Sequence, residues 1–192
     1  MNALMHRKDN LKDEIIVGTI PAGTGNGLSK TIAEEHCENY HVISFAYMLC
    51  KGHSIKMDLF EIESLSQDKL IYAFHSVTSG LVAEVGIDSE KLRCMGDSRF
   101  KLYALWRLMT LNSSHFFTSM YYPEKEELDQ RSIDEYPDLR KELPENMTNL
   151  KDEIRFMWVM NLRWQTEVIN APEQTKLDDG LMDIIVKYLI II

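Results

Sequence analysis

No apolar run in this 192-residue chain approaches the roughly 20 residues that a membrane-spanning helix needs. The best candidate, residues 184–192, is interrupted by Lys187. Residues 1–13 are polar and mixed in charge, and carry no secretory-signal pattern. Cysteine is scarce. Cys37, Cys50 and Cys94 are odd in number, widely spaced and without a CxxC pair. They read as free thiols in a reducing compartment, not as a disulfide framework or a zinc site. Basic residues are outnumbered, 21 against 30 acids, for a net charge of −9. That excludes a general nucleic-acid binder, which needs a basic surface to displace counterions. The six histidines show no HxxxH or HExxH spacing, and no serine sits in a GxSxG elbow, which argues against metallohydrolase and serine-hydrolase chemistry.

What is present is globular in composition, 45% hydrophobic and 27% charged. Residues 13–20 (DEIIVGTI) read as a buried strand, followed by a glycine-rich turn and a helix over residues 28–35. A second helix is expected over residues 42–50. Residues 55–63 alternate apolar and polar side chains, as a half-buried antiparallel strand does, and residues 69–77 read as its hairpin partner. Residues 81–111 read as mostly helical, with Phe100, Ala104, Leu108 and Leu111 on one face. Strands are expected at 114–122, 154–161 and 180–192, with a polar connection over 171–179. Residues 124–153 hold eleven acids and five bases and read as an exposed insertion. The pattern predicts an α/β N-terminal remnant over 1–50 (strand, glycine-rich turn, helix). A mostly antiparallel β-sandwich with a helical excursion follows over 51–192.

The turn Pro21-Ala22-Gly23-Thr24-Gly25-Asn26-Gly27 is the most informative stretch. Its glycines allow positive φ and close backbone approach, and the following helix offers unpaired amides to an anion. Two readings stand: a phosphate cradle, with Thr24 and Asn26 as added donors, and a tight turn in which Asn26 caps the helix. The stretch is neither a Walker A loop nor a GxGxxG fingerprint.

Pro21-Ala22-Gly23-Thr24-Gly25-Asn26 resembles the PAG-[S/T]-GN segment of the diacylglycerol kinase catalytic-domain superfamily of lipid kinases. Residues 80–100, GLVAEVGIDSEKLRCMGDSRF, are similar to the S-E-x-x-R-x-x-G-x-x-R segment of the sphingosine kinases within it. Asp178-Asp179-Gly180 resembles a third stretch, and the three lie in family order. The resemblance implies transfer of the γ-phosphoryl of ATP, with Mg2+, to the primary hydroxyl of a sphingoid base. It implies an α/β domain ahead of a β-sandwich, with ATP between them and the lipid in the second. Gly23, Thr24, Gly25, Asn26, Arg93 and Arg99 would contact the nucleotide. Ser76, Glu84 and Asp88 would contact the lipid. For the two arginines, ion pairing with Asp88, Glu90 or Asp97 is the alternative. Aromatic and methionine side chains at Trp106, Met109, Phe116 and Phe117 read mainly as core, with lipid lining as the alternative. The implied setting is cytoplasmic, with transient contact to a membrane surface and no nucleic acid.

Two departures qualify the resemblance. The sequence holds no Gly-Gly-Asp-Gly, the motif whose Asp would activate the lipid hydroxyl. Asn2-Ala3-Leu4-Met5 resembles the segment that follows that motif. The expected catalytic Asp would therefore lie upstream of Met1, and no catalytic residue is expected within the chain. A chain cut at both ends, and inactive alone, is the resulting expectation. Gly86 stands where sphingosine kinases usually carry an Asp that can pair with the sphingoid amine. Glu84 and Asp88 lie two positions away, about 200° around a helix. A diacylglycerol- or ceramide-type acceptor, or a catalytically dead binding module, follows as the alternative.

Overall fold

A computed structural model describes residues 1–9, 14–23, 25–64, 66–96, 98–110, 116–122, 147–171 and 175–188. The elements run α1 (Asn2–Met5), α2 (Gly27–Glu35), α3 (Val42–Lys51), β1 (Phe60–Ser64), β2 (Lys69–Ala73), β3 (Ser76–Gly80), α4 (Leu81–Asp88), a 3-10 helix (Ser89–Met95), α5 (Ser98–Thr110), β4 (Phe116–Tyr122), β5 (Thr148–Met160) and β6 (Asp183–Tyr188). The chain is thus mixed α/β, and its described sheets are antiparallel.

The expected strand at 13–20 does not form. Residues 15–20 carry no regular secondary structure and pair with no strand among the described residues, and Ile16 and Val17 are 69% and 60% exposed. An apolar strand of this kind needs neighbours on both edges and cover on both faces; no strand lies on either edge among the described residues. The glycine-rich turn and α2 follow as expected. Helix α3 also forms, capped by the His41 ring accepting the Ile43 N–H at 3.2 Å and ended by Gly52 at φ 71°.

The hairpin of β1 and β2 pairs Phe60 with Ala73 through Ser64 with Lys69. It is shorter than the alternation predicts. Residues 55–59 leave the ladder because Asp58 is tied elsewhere: its N–H donates to Leu177 O at 2.7 Å, and its Oδ2 accepts the Gly180 N–H at 2.6 Å. The hairpin partner stops at Ala73, since Phe74 O and His75 O are taken by the side chain and the backbone N–H of buried Asn161. The chain then enters a second sheet as β3.

That sheet is organised on β5. Strand β3 pairs with residues 156–160 and β4 with residues 148–154, while β6 pairs along 154–160, so the second half of β5 is flanked on both edges. Ile154, Met160 and Leu162 are fully buried there. The acidic stretch therefore ends earlier than its composition suggests: residues 148–153 are strand, because β4 supplies a partner for each of them. The remainder of that stretch up to 146, and residues 189–192 of the expected last strand, lie outside the described residues.

Gly80 makes the β3–α4 junction. Its φ is 69°, and a Cβ there would stand 2.1 Å from Arg155 O, so no side chain fits. The helical excursion follows as expected, but its covered face differs. Phe100 and Ala104 turn inward, as the periodicity predicts. They share that face with Arg99, Tyr103 and Arg107, whereas Trp106 and Met109 are 50% and 77% exposed. Ion pairs and ring stacking draw the two arginines inward. Phe117 is likewise 84% exposed, because alternate residues of β4 face outward. Leu111 lies outside the described residues.

Candidate functional site

The glycine-rich turn is built around Asn26. Its backbone is left-handed, at φ 44°. Its side chain closes a ring with Gly23: Oδ1 accepts the Gly23 N–H at 2.8 Å and Nδ2 donates to Gly23 O at 2.6 Å. The second Nδ2 hydrogen goes to Glu167 Oε1 at 2.8 Å. Both amide hydrogens of Asn26 are therefore engaged within the protein, so an anion here would meet backbone amides and not this side chain. Gly25 continues the turn, and Thr24 lies outside the described residues.

Helix α2 is seated on the loop after β5. A Cβ on Gly27 would lie 2.4 Å from Trp164 O and 2.8 Å from Gln165 O, so glycine permits the close approach. Thr31, fully buried, donates to Gly27 O and accepts the Trp164 N–H, both at 3.0 Å. The Trp164 ring nitrogen donates to Glu34, and Asn26 forms a β-bridge with Thr166. His75 stands beneath, its Nε2 3.0 Å from Gln165 O and its Nδ1 3.1 Å from Ser76 Oγ. Burial holds the His75 ring below its ordinary pKa.

Met1 serves a local structural role. It stands at the N-cap of α1, and its carbonyl accepts the Leu4 and Met5 N–H groups at 2.9 and 3.0 Å. The Asn2 side chain ties this turn to β2: it donates to Tyr72 O at 2.8 Å and accepts the Tyr72 N–H at 2.7 Å. The start of the chain is thereby anchored on the β1–β2 hairpin, and none of these bonds reaches the glycine-rich turn.

Arg93 and Arg99 converge on one carboxylate. Glu90 Oε1 lies 2.6 Å from Arg99 and Oε2 lies 3.5 Å from Arg93. The Arg99 hydrogen bond, first, holds the Glu90 carboxyl below its usual range. The two arginines differ in setting. Arg93 is open to solvent, whereas Arg99 is buried and stacked 4.5 Å from the Phe100 ring centroid. Arg99 Nη1 has no hydrogen-bond partner among the described residues. No hydrogen bond or ion pair joins either arginine to Gly23, Gly25 or Asn26 among the described residues.

Of the three lipid-site candidates, the structure brings two together. Glu84 and Asp88 line a cavity of about 320 Å³ with Ser79, Gly80, Ala83, Ile87 and Phe116. Ser76 is turned instead to His75. Arg107 reaches both acids, at 3.3 Å from Glu84 and 3.1 Å from Asp88, and the Tyr103 hydroxyl donates to Asp88 at 3.1 Å. Ser79 Oγ is buried on this cavity and has no partner among the described residues. Gly86 lies on the exposed side of α4. Glu167, Tyr40 and Arg107 escape the sequence motifs. Their roles rest on contacts across long separations, for which a single sequence carries no periodic signal.

The described residues thus hold a glycine-rich turn ahead of a helix, one buried and one exposed arginine on a helical excursion, and a cavity at a strand–helix junction. Sequence comparison adds relatives. The chain is 30% identical over 97% of its length to sphingosine kinase 1 of Arabidopsis thaliana, and 28% identical over 97% to sphingosine kinase 2 of the same plant. It is 29% identical over 59% of its length to human sphingosine kinase 2. The resemblance in three short segments thus extends across the chain. The chain spans about two fifths of the plant relatives, 41% and 42% of their lengths. A diacylglycerol kinase structure from Bacillus anthracis is 20% identical, with a TM-score of 0.48, over 89% of this chain and 44% of that one. No family model matches the sequence. No described helix is long and apolar enough to cross a membrane, and the described residues hold no group of three His, Cys, Asp or Glu that could bind a metal.

Proposed function

We propose that this chain is the nucleotide- and lipid-recognising part of an ATP-dependent lipid kinase whose product is a sphingoid base phosphorylated on its primary hydroxyl. The observation that carries this reading is 30% identity to a sphingosine kinase across 97% of the chain. The site supports it in three ways. The α2 amides behind the Gly23–Asn26 ring suit phosphate oxygens. Arg99 holds a buried nitrogen with no partner among the described residues, and an arginine fork matches phosphate geometry. The cavity beside α4 has an apolar wall from Ala83, Ile87 and Phe116, with polar groups at one side.

In this reading residues 1–50 belong to the nucleotide-binding unit and 51–192 to a lipid-binding β-sandwich. Mg2+ enters with ATP, neutralising its phosphates. Positioning and charge neutralisation supply most of phosphoryl-transfer catalysis, and the residues present serve that task. The chain alone binds but does not turn over, because Gly-Gly-Asp-Gly is absent from its 192 residues. Its setting is cytoplasmic, with passing contact to membrane surfaces where the lipid resides.

A second reading is favoured by one observation: Arg107 is paired with both acids of the cavity. With Gly86 also lacking a carboxylate, a neutral diacylglycerol- or ceramide-type acceptor fits the cavity without an ammonium partner.

The test is binding and turnover on the purified chain. ATP with magnesium, at about a hundred times its Kd, should stabilise the fold by about 2.7 kcal/mol in a thermal melt. Sphingosine should bind, and no phosphorylated lipid should form. Failure of both ligands to shift the melt overturns the kinase reading, and turnover overturns the predicted inactivity. Tighter binding of diacylglycerol than of sphingosine selects the second reading.

A further inference from the structure

Glu167 lies 141 residues from Asn26, in the loop after β5, yet it reaches the glycine-rich turn. Its Oε1 accepts the Asn26 amide at 2.8 Å and also the Tyr40 hydroxyl. Lys30 stands over the Tyr40 and Trp164 rings, at 5.4 and 5.0 Å from their centroids, and closes the same side. The carboxylate is exposed to solvent but held from two directions by donors of the first 40 residues. The Tyr40 hydrogen bond, then that of Asn26, keeps it below the ordinary carboxylate range.

Asn26 is the residue that this contact completes. One Nδ2 hydrogen closes the ring to Gly23, and the other needs an acceptor to hold the amide plane. A non-glycine residue at φ 44° costs energy unless its surroundings fix it. Removing the Glu167 acceptor leaves the amide to its paired bonds with Gly23 and its contact with the Tyr40 hydroxyl.

We propose that Glu167, braced by Tyr40, is a positioning residue for the glycine-rich turn: it fixes Asn26, and so the backbone amides that meet phosphate, without touching the nucleotide itself. This rests on the nucleotide reading of that turn. The sign of the effect separates it from simple electrostatics. A carboxylate beside a polyanion repels it, so charge alone makes Glu167→Ala bind ATP more tightly. Positioning makes the same variant bind more weakly.

The experiment measures ATP affinity by titration, and amide hydrogen exchange over residues 23–30, in four forms of the full chain: wild type, Glu167→Ala, Glu167→Gln and Tyr40→Phe. Glu167→Ala should weaken ATP several-fold and speed exchange in the turn. Glu167→Gln keeps an acceptor while losing the charge, and should restore both. Tyr40→Phe keeps the charge while losing the brace, and should fall between. Tighter ATP binding by Glu167→Ala, or unchanged exchange in that variant, overturns the proposal. A wild-type chain that binds no ATP overturns the nucleotide reading instead, and the exchange comparison still decides whether Glu167 orders the turn.

Discussion

The backbone N–H of Trp164 donates to the hydroxyl of Thr31 at 3.0 Å, joining helix α2 to a loop 133 residues further along the chain. Thr31 is fully buried, and the same hydroxyl donates to Gly27 O. One side chain therefore satisfies a loop amide and fixes the helix that carries the glycine-rich turn. Thr31→Val keeps the volume and removes both bonds. It leaves the Trp164 N–H without its acceptor, at a cost of about 1–3 kcal/mol. An unfolding free energy from urea titration lowered by that amount, with Thr31→Ser close to wild type, is the expected result. An unchanged midpoint for Thr31→Val would show that water replaces the hydroxyl.

The His75 ring gives stability a pH dependence. Burial depresses its folded pKa below the ordinary value of 6.5. The unfolded chain then binds more protons between the two pKa values, so stability rises with pH in that window. Its contribution is present above about pH 6.5 and is lost as the pH falls toward the folded pKa. The carboxylates with depressed pKa values, Glu90 and Glu167, act at lower pH, because their ordinary value is 4.5. Unfolding midpoints at about pH 5.5 and about pH 7.5 should therefore differ for wild type and much less for His75→Gln. Equal pH slopes in the two proteins would remove His75 from the account.

Where a pattern repeats locally, the sequence was informative. The helix expected at 42–50 forms as Val42–Lys51, the alternation at 55–63 gives β1 in part, the aromatic stretch ending at 122 gives β4, and the excursion expected over 81–111 is mostly helical among its described residues. The strand at 13–20 fails for a reason no local pattern holds: a strand exists only with a partner. The first six residues of β5 were hidden by their acids, because strand propensity there comes from pairing with β4 and not from composition. At the site, Glu84 and Asp88 do meet on one cavity, but no motif singles out Arg107 between them. Helical spacing puts residues 84 and 88 on one face. It says nothing about which cation from another helix lies between them.

Arg99 and Arg93 are held by Glu90, which draws on the same positive charge that a phosphate would meet. In the nucleotide reading Glu90 competes with the ligand. Glu90→Gln should tighten ATP a few-fold, and Arg99→Ala should weaken it by about tenfold or more, the loss expected for a charge-assisted hydrogen bond. Arg93→Ala should matter less, since Arg93 is 82% exposed and water screens it. Titration of the three variants with ATP reads all of this at once. ATP affinity untouched by Arg99→Ala would return the cluster to a purely structural ion pair.

Arg107 offsets two acids on the wall of the cavity. Arg107→Met keeps much of its stacking bulk near Tyr103 and Trp106 but leaves Glu84 and Asp88 facing one another. The fold should lose roughly 1–3 kcal/mol, less than a fully buried pair would cost, because Asp88 is 35% exposed. The cavity should at the same time gain affinity for a cationic amphiphile. Calorimetry with sphingosine against diacylglycerol measures that gain, and no change in preference would show that neither acid meets the lipid head group.

Gly86 separates the two possible faces for an amine. It is exposed, and a Cβ there meets nothing within 4 Å, so a side chain can be added without a clash. Removing glycine from a helix interior also offsets the modest helix propensity of aspartate. Gly86→Asp places a carboxylate about 200° around α4 from Glu84 and Asp88, away from the cation that holds those two. If the amine of a sphingoid base lies on that face, the variant should bind sphingosine several-fold more tightly and leave diacylglycerol unchanged. If sphingosine affinity stays the same, the amine does not lie on that face, and Arg107→Met tests the cavity side. Scoring Gly86→Asp and Arg107→Met against the same pair of lipids therefore assigns the head group to one face of α4 and decides between an amino-lipid and a neutral acceptor.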